Sequence, residues 1–210
     1  MIGPASGISS INVRRITSSI SEYYVQEPMP GVGGYNEMDS NSDTCCLGRN
    51  FTILGYTQRV AEVYPYDANM PPTQVPIVSG ATAYDVPGSN ETIILVVNEG
   101  LYFGTKLDHS LFNPNQIRSY MIPVWDNPID EMRPEMGIDL GSYFVPFQSK
   151  GTKIRFKSRS STERELKDCS HVDITSKNPW TPESVQLSEV MSNNAGKDEM
   201  EDPRSNSFDL

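Results

Sequence analysis

The sequence predicts a mostly β protein with loose ends, and three observations carry that expectation. Glu91-Thr92-Ile93-Ile94-Leu95-Val96-Val97 is a β-branched run, apolar enough to be buried on both faces. It follows four consecutive turn formers, Pro87-Gly88-Ser89-Asn90, so with Pro76 to Tyr84 on the other side it predicts a long hairpin. Gly and Pro account for 15 and 16 of the 210 residues, and the hydrophobic share is 37%. That share is below the roughly 45–50% (counting Gly) of ordinary globular domains, which suits a turn-rich β domain with polar ends.

The remaining elements follow in chain order. Residues 1–34 are rich in Ser and Gly without apolar periodicity and are expected to be a flexible linker. Arg59 to Tyr66 is a short strand stopped by Pro65. Asn113, Pro114, and the i, i+3, i+4 set Ile117, Tyr120 and Met121 predict one short helix with a cap, a proline at its first position and one apolar face. Tyr143 to Phe147 and Thr152 to Arg159 flank Ser149-Lys150-Gly151 as a second hairpin. Thr162-Glu163-Arg164-Glu165 has capping-box spacing for one or two helical turns, and His171 to Thr175 can add a last strand. From Ser188 to Leu210 there are six acidic and two basic residues, the pattern of an acidic disordered tail. There is no internal repeat.

Charge and cysteines narrow the function. A formal net charge of −10 excludes a dedicated nucleic-acid binder unless the basic residues are segregated. They are partly so: Lys150, Lys153, Arg155, Lys157, Arg159, Arg164 and Lys167 place 7 of the 17 basic residues within 18 positions. On 153–159 they alternate with Ile154 and Phe156, which reads as an edge strand guarded by its charges, or as a surface for nucleic-acid backbone, a secondary partner class. The longest aliphatic run, Ile93 to Val97, is far short of the roughly 20 residues of a membrane-crossing helix, so no membrane partner is expected. With no secretion-type apolar stretch in residues 1–25, the expected location is intracellular, cytoplasmic or nuclear. Cys45, Cys46 and Cys169 have no disulfide-framework or metal-ligand spacing, and no cofactor or metal is expected.

The densest polar cluster is Asp39-Ser40-Asn41-Ser42-Asp43-Thr44, followed by Cys45-Cys46-Leu47-Gly48. As isolated residues these make a solvated turn, because Asp, Asn and Ser bond their own backbone. The other reading is an aspartic-protease loop, with Asp at the end of a strand and a hydroxyl beside it. The neighbouring words favour the second. After the loop come Phe51-Thr52-Ile53-Leu54, a hairpin containing Pro76-Ile77-Val78-Ser79-Gly80-Ala81-Thr82-Ala83-Tyr84, then Asn98-Glu99-Gly100-Leu101-Tyr102-Phe103-Gly104. Leu107 to Arg118, Trp125-Asp126-Asn127-Pro128 and Asn178-Pro179-Trp180-Thr181-Pro182-Glu183-Ser184-Val185 follow. In order and wording these resemble the polyproteins of copia-type retroelements over about residues 35–187. The likeness is strongest to a branch that writes its loop as Asp-Ser-His-Ala-Asp-Thr.

That resemblance implies a retropepsin-like closed barrel at 35–125 with one short helix, a small β-rich extension at 126–187 and a tail at 188–210. It implies Asp39 as the catalytic aspartate and Ser40 as the hydroxyl that braces it. Asn41, Ser42, Asp43 and Thr44 complete the active-site loop, and Val78, Ser79, Gly80, Ala81 and Thr82 belong to a substrate-binding flap hairpin. Two close carboxylates must share a proton to serve as base and acid. One loop per chain therefore implies a homodimer, and strand addition implies an extended peptide substrate. Asn41 stands where retropepsins in general have Gly, and Ser42 where they have a small residue. A non-catalytic retroelement remnant and a β-rich interaction module are the alternatives. A Cys45 nucleophile with His109 or His171 rests on residue types alone, and Gly31-Val32-Gly33-Gly34 is no phosphate loop.

Overall fold

The computed structural model describes residues 13–17, as a backbone path, together with 29–64, 69–130 and 135–185. The expected acidic tail and most of the expected linker lie outside the described residues. In chain order the strands are β1 (Val13–Thr17), β2 (Gly33–Met38), β3 (Cys46–Gly48), β4 (Thr52–Val63), β5 (Thr73–Asp85), β6 (Thr92–Gly104) and β7 (Ser110–Phe112). Helix α1 (Pro114–Arg118) is followed by β8 (Val124–Trp125), β9 (Gly137–Asp139), β10 (Phe144–Pro146), β11 (Gln148–Lys150) and β12 (Lys153–Arg159). Helix α2 (Glu163–Asp168), β13 (His171–Asp173) and a single 3₁₀ turn at Pro182–Ser184 complete the described chain.

The protein is mostly β. The expected long hairpin is present as β5 and β6, closed by Val86 N–H donating to Glu91 O at 2.9 Å with Gly88 at φ 76°. From Ile93 to Val97 every residue is buried, so the run is covered on both faces. Helix α1 starts as its sequence dictates, with the Asn113 side chain accepting from the Asn115 and Gln116 amides and Pro114 at the first position. Helix α2 has the complete capping box between Thr162 and Glu165. The second hairpin differs from expectation: β12 pairs with β11, while β10 turns away to pair with β9 in a separate three-stranded sheet with β8. The buried Phe147 alone divides β10, which ends at Pro146, from β11, and the chain changes sheets there.

The main sheet closes on itself. Its pairings run β5, β12, β2, β7, β3, β6 and back to β5, with β2 parallel to β7 and β3 parallel to β6. The joint between β12 and β5 is a single pairing, Arg159 with Ala83. The strand that completes the ring thus comes from residues 153–159, in the stretch expected as an extension, and that stretch shares one sheet with what precedes it. Phe156 of β12 is buried against Phe112 at 5.5 Å between ring centroids, in an edge-on contact of the kind aromatic quadrupoles favour. Residues 13–17, within the expected linker, form a strand along β4, and Gly33 and Gly34 belong to β2. Among the described residues no helix is long and apolar enough to cross a membrane.

Two features hold the ring together. Leu47 is wedged between Gly80 and Gly100, where an added Cβ would lie 2.7 and 2.8 Å from Leu47 Cδ1, so β5 and β6 can approach β3 only with glycine at both points. Polar side chains from β2, β5, β7, β12 and the β3–β4 corner meet in the interior. Asn50 Nδ2 donates to Asn36 Oδ1 and Ser158 Oγ at 2.9 Å each, and Ser110 Oγ donates to Asn50 Oδ1 at 2.7 Å. Asn36 Nδ2 reaches Ser158 Oγ at 2.8 Å, and Thr82 Oγ1 reaches Asn50 O at 2.8 Å. Asn36, Asn50, Thr82 and Ser110 are fully buried.

Each buried partner left unpaired costs about 1–3 kcal/mol. Asn50→Ala should therefore destabilise the fold by about 2–4 kcal/mol and lower Tm by about 10 °C in calorimetry, because its side chain bonds Asn36, Ser110 and Ser158. Helix α2 should respond to acid. Arg159 forks onto both Glu165 and Asp85, and its guanidinium pulls the Glu165 carboxyl down to about 2 from 4.5. A depressed carboxyl binds protons more readily when unfolded, so its stabilisation is present above about 4.5 and fades as pH falls towards about 2. Cα chemical shifts of residues 163–168 should lose helical character over that window, and Arg159→Gln should weaken the dependence, leaving the part that the Thr162 capping bonds contribute.

Candidate active site

Asp39 follows the last residue of β2 and is half-buried, and the loop it opens is held at both stems. At the first stem Asp39 N–H donates to Phe112 O at 2.9 Å, continuing the pairing of β2 with β7. At the second, Cys45 N–H donates to Gln116 Oε1 at 2.8 Å and Cys45 O accepts from Leu101 N–H at 2.9 Å. Gln116 is buried on α1 and is placed by the Asn113 cap, so the short helix is a bracket for the loop. Inside the loop, Asp39 Oδ1 accepts the Asn41 N–H at 2.9 Å, an Asx turn that Asp favours, and Ser42 Oγ donates to Thr44 O at 2.6 Å. As the residues alone predict, the cluster is a turn built from its own side chains, and Asp39 directly follows the last residue of β2.

The other expected site residues divide. Ser40 and Asn41 are exposed at the apex, Asp43 is half-buried, and Ser42 and Thr44 are buried. The Ser42 hydroxyl therefore works as an internal loop tie. Val78, Gly80, Ala81 and Thr82 are buried in the middle of β5, with Ser79 half-buried and bonded to Asn98 Oδ1 at 2.7 Å. Gly80 faces Leu47 and Phe51, and Thr82 joins the interior polar cluster, so these residues line the ring wall and Ser79 alone of the five is partly open. The turn at Pro87 and Gly88 lies beside the three-stranded sheet, where Tyr143 Oη donates to Glu91. It is the other hairpin, β4 with β5, whose outer half packs Ala61, Val63, Val75 and Ile77 against Cys46 and Leu101, next to the loop.

Sequence reasoning missed three contributors. Glu99, 4% exposed, has one carboxylate oxygen on the Arg59 guanidinium and the other on the Trp180 N–H at 3.1 Å. Trp180 in turn donates its indole N–H to Asp43 O at 2.8 Å. Gln116 Nε2 also reaches Glu99 O at 3.4 Å. All three residues stood inside words quoted for the family resemblance, but nothing local in those words shows which loop they meet.

The electrostatics argue against thiol chemistry here. Burial pushes the Cys45 and Cys46 thiols up to about 12 from 9.0. Neither is a nucleophile near neutral pH, because the thiolate is the reactive form. His109 lies 3.7 Å from Glu37, and His171 Nδ1 lies 3.1 Å from Cys169 O. No group of three or more metal-ligating side chains that could hold an ion occurs among the described residues.

The basic strand is placed inside the ring, paired with β2 and β11, and is not an edge. Lys153 Nζ is 2.8 Å from Glu37, Arg159 is held by Asp85 and Glu165, and Arg155 stacks 3.8 Å over Tyr35. Comparison with known proteins found no matching family model, no matching curated protein and no matching solved structure.

Thiol burial gives a direct check. With folded protein at pH 8, iodoacetamide is expected to modify the half-buried Cys169 and to leave Cys45 and Cys46 intact, whereas denatured protein takes three labels by mass spectrometry.

Proposed function

We propose that the chain is a retropepsin-like aspartic endopeptidase protomer of retroelement type, using Asp39 from each of two copies. The observation that carries this reading is the Asp39 loop: a carboxylate at the end of β2, locked by its own Asx turn and by β7 and α1, with exposed Ser40 and Asn41 at its apex. A lone carboxylate can act as base or as acid. Peptide hydrolysis at near-neutral pH by this chemistry needs both at once, one ionised to activate water and one protonated to polarise the carbonyl. A two-fold axis at the apex would bring a second Asp39 to the first. Asn41 lies outside the left-handed backbone region, so Asn can stand in the place of Gly without backbone strain.

Substrate would be an extended, apolar peptide bound by backbone pairing. The outer half of the β4–β5 hairpin is the better candidate for covering it, since it packs beside Cys46 at the loop. The nucleic-acid reading draws less support. Lys153, Arg155 and Arg159 are already engaged with Glu37, Tyr35, Asp85 and Glu165, which lowers the charge left to meet phosphates.

The full chain is expected to cleave an apolar peptide at acidic to neutral pH, with a sedimentation equilibrium showing dimers. Asp39→Asn should lower kcat by about 10³-fold or more, as loss of an essential acid–base group does. Cleavage that persisted in Asp39→Asn would overturn the assignment. A strictly monomeric, inactive chain would leave the non-catalytic remnant.

A further inference from the structure

The contacts inside the Asp39 loop shape it, and the bonds at its stems anchor its two ends. A third attachment reaches its middle from far along the chain. Segment 171–180 is fastened to β6: His171–Asp173 pair in parallel with Ile94–Val96, Ile174 N–H donates to Val96 O at 2.8 Å, and Asn98 N–H donates to Thr175 Oγ1 at 2.7 Å. Asn98 Nδ2 also donates to Thr175 O at 3.1 Å. Trp180 therefore arrives at the loop from a fixed base. Its backbone N–H is taken by Glu99, its indole N–H by Asp43 O, and Glu99 itself is held by Arg59 at the root of the outer β4–β5 hairpin.

We propose that Trp180 is a positioning residue for Asp39, acting through the Asp43 carbonyl, with Glu99 and Arg59 setting where Trp180 sits. Its catalytic consequence rests on the protease reading above, while its effect on loop order does not. Two carboxylates that must share one proton tolerate little displacement, because misplacement of about 1 Å by remote changes costs up to 10²-fold in rate. An indole N–H is well suited to the task. It is a single donor on a rigid ring, and a half-buried ring adds contact area without the rotamer freedom of a long polar side chain.

The test uses the full chain with Trp180→Phe, which keeps the ring and the backbone bond to Glu99 and removes the indole donor. Amide hydrogen exchange at Asn41 and Cys45 is expected to rise about five- to tenfold, the equivalent of one lost hydrogen bond. The kcat for peptide cleavage is expected to fall by about tenfold with KM unchanged, a split that damage to the peptide-binding strands would not give. Glu99→Gln should move loop exchange the same way. In a Trp125→Phe background, where Trp180 is the one remaining indole, Glu99→Gln should also shift the emission to the red. If both variants fold and exchange at residues 39–45 is unchanged, the proposal is overturned. Should Trp180→Phe fail to fold, the near-isosteric Glu99→Gln decides by the same exchange measurement. A wild-type chain that cleaves nothing defeats the protease reading alone, since the exchange result still decides the role of Trp180.

Discussion

The buried cluster of Asn36, Asn50, Thr82, Ser110 and Ser158 is the constraint on which the ring depends. A ring assembled from short strands has joints where only one or two backbone bonds can form: Cys46 with Leu111 is one single pairing, and Arg159 with Ala83 is another. At that joint Thr82 Oγ1 lies 2.6 Å from Ser158 Oγ and 3.0 Å from Arg159 O, so side chains supply what the ladder lacks. Asn50 spends both amide protons on Asn36 and Ser158, Ser158 accepts twice and can donate to Thr82, and Thr82 donates to Asn50 O. A fully satisfied network in a low-dielectric interior fixes one arrangement, whereas apolar residues of the same size would tolerate several.

The same cluster determines what the loop can be. Asn36 sits on β2 three residues before Asp39, and Ser110 sits on β7 paired directly with Asn36. Ser110 Oγ also accepts the Gly48 N–H at 2.9 Å, which ties the strand after the loop to β7, the partner of the strand before it. Both stems are thereby referenced to one rigid point before any residue of the loop itself is considered. Rigid stems with an exposed apex are what a site on a loop requires, because precision comes from the scaffold and access from the loop.

Much of the fold was legible in the residues, for identifiable reasons. The β6 run is apolar on both faces and can only be a covered strand, and the caps of α1 and α2 are local chemistry with local partners. The ring-closing role of β12 was not legible. Alternating charge on 153–159 describes a strand with one polar face equally well at an edge or within a sheet, and the discriminating facts, Glu37, Tyr35, Asp85 and Glu165 opposite those charges, are distant in sequence. The Asp39 loop could be read as a turn from its composition, while the strand-end position of its aspartate was implied only by the protease-loop resemblance. Val78 to Thr82 could be read as strand but not as wall, because burial of Gly80 against Leu47 is a pairwise fact. Trp180 and Glu99 were hidden for the same reason.

Glu99 shows how one irregularity can connect these distant parts. It has φ 58°, a left-handed conformation that costs a non-glycine residue about 1–3 kcal/mol and persists only where its surroundings enforce it. The β5–β6 register slips between Val78 and Gly80, opposite Gly100 and Val97, so Asn98 and Glu99 form an excess in β6 at that point. The excess divides the strand: Ile94–Val96 pair with β13, and Leu101–Gly104 pair with β3 beside the loop. Without it β6 would run straight, and the side chain of residue 99 would follow the alternation of its neighbours. With it, the carboxylate is turned into a buried position between Arg59 and Trp180, while the backbone carbonyl of Glu99 meets the Gln116 amide. The strain is offset by a charge-assisted pair and two further hydrogen bonds, and the return is that the strand holding the C-terminal segment also presents that segment to the Asp39 loop.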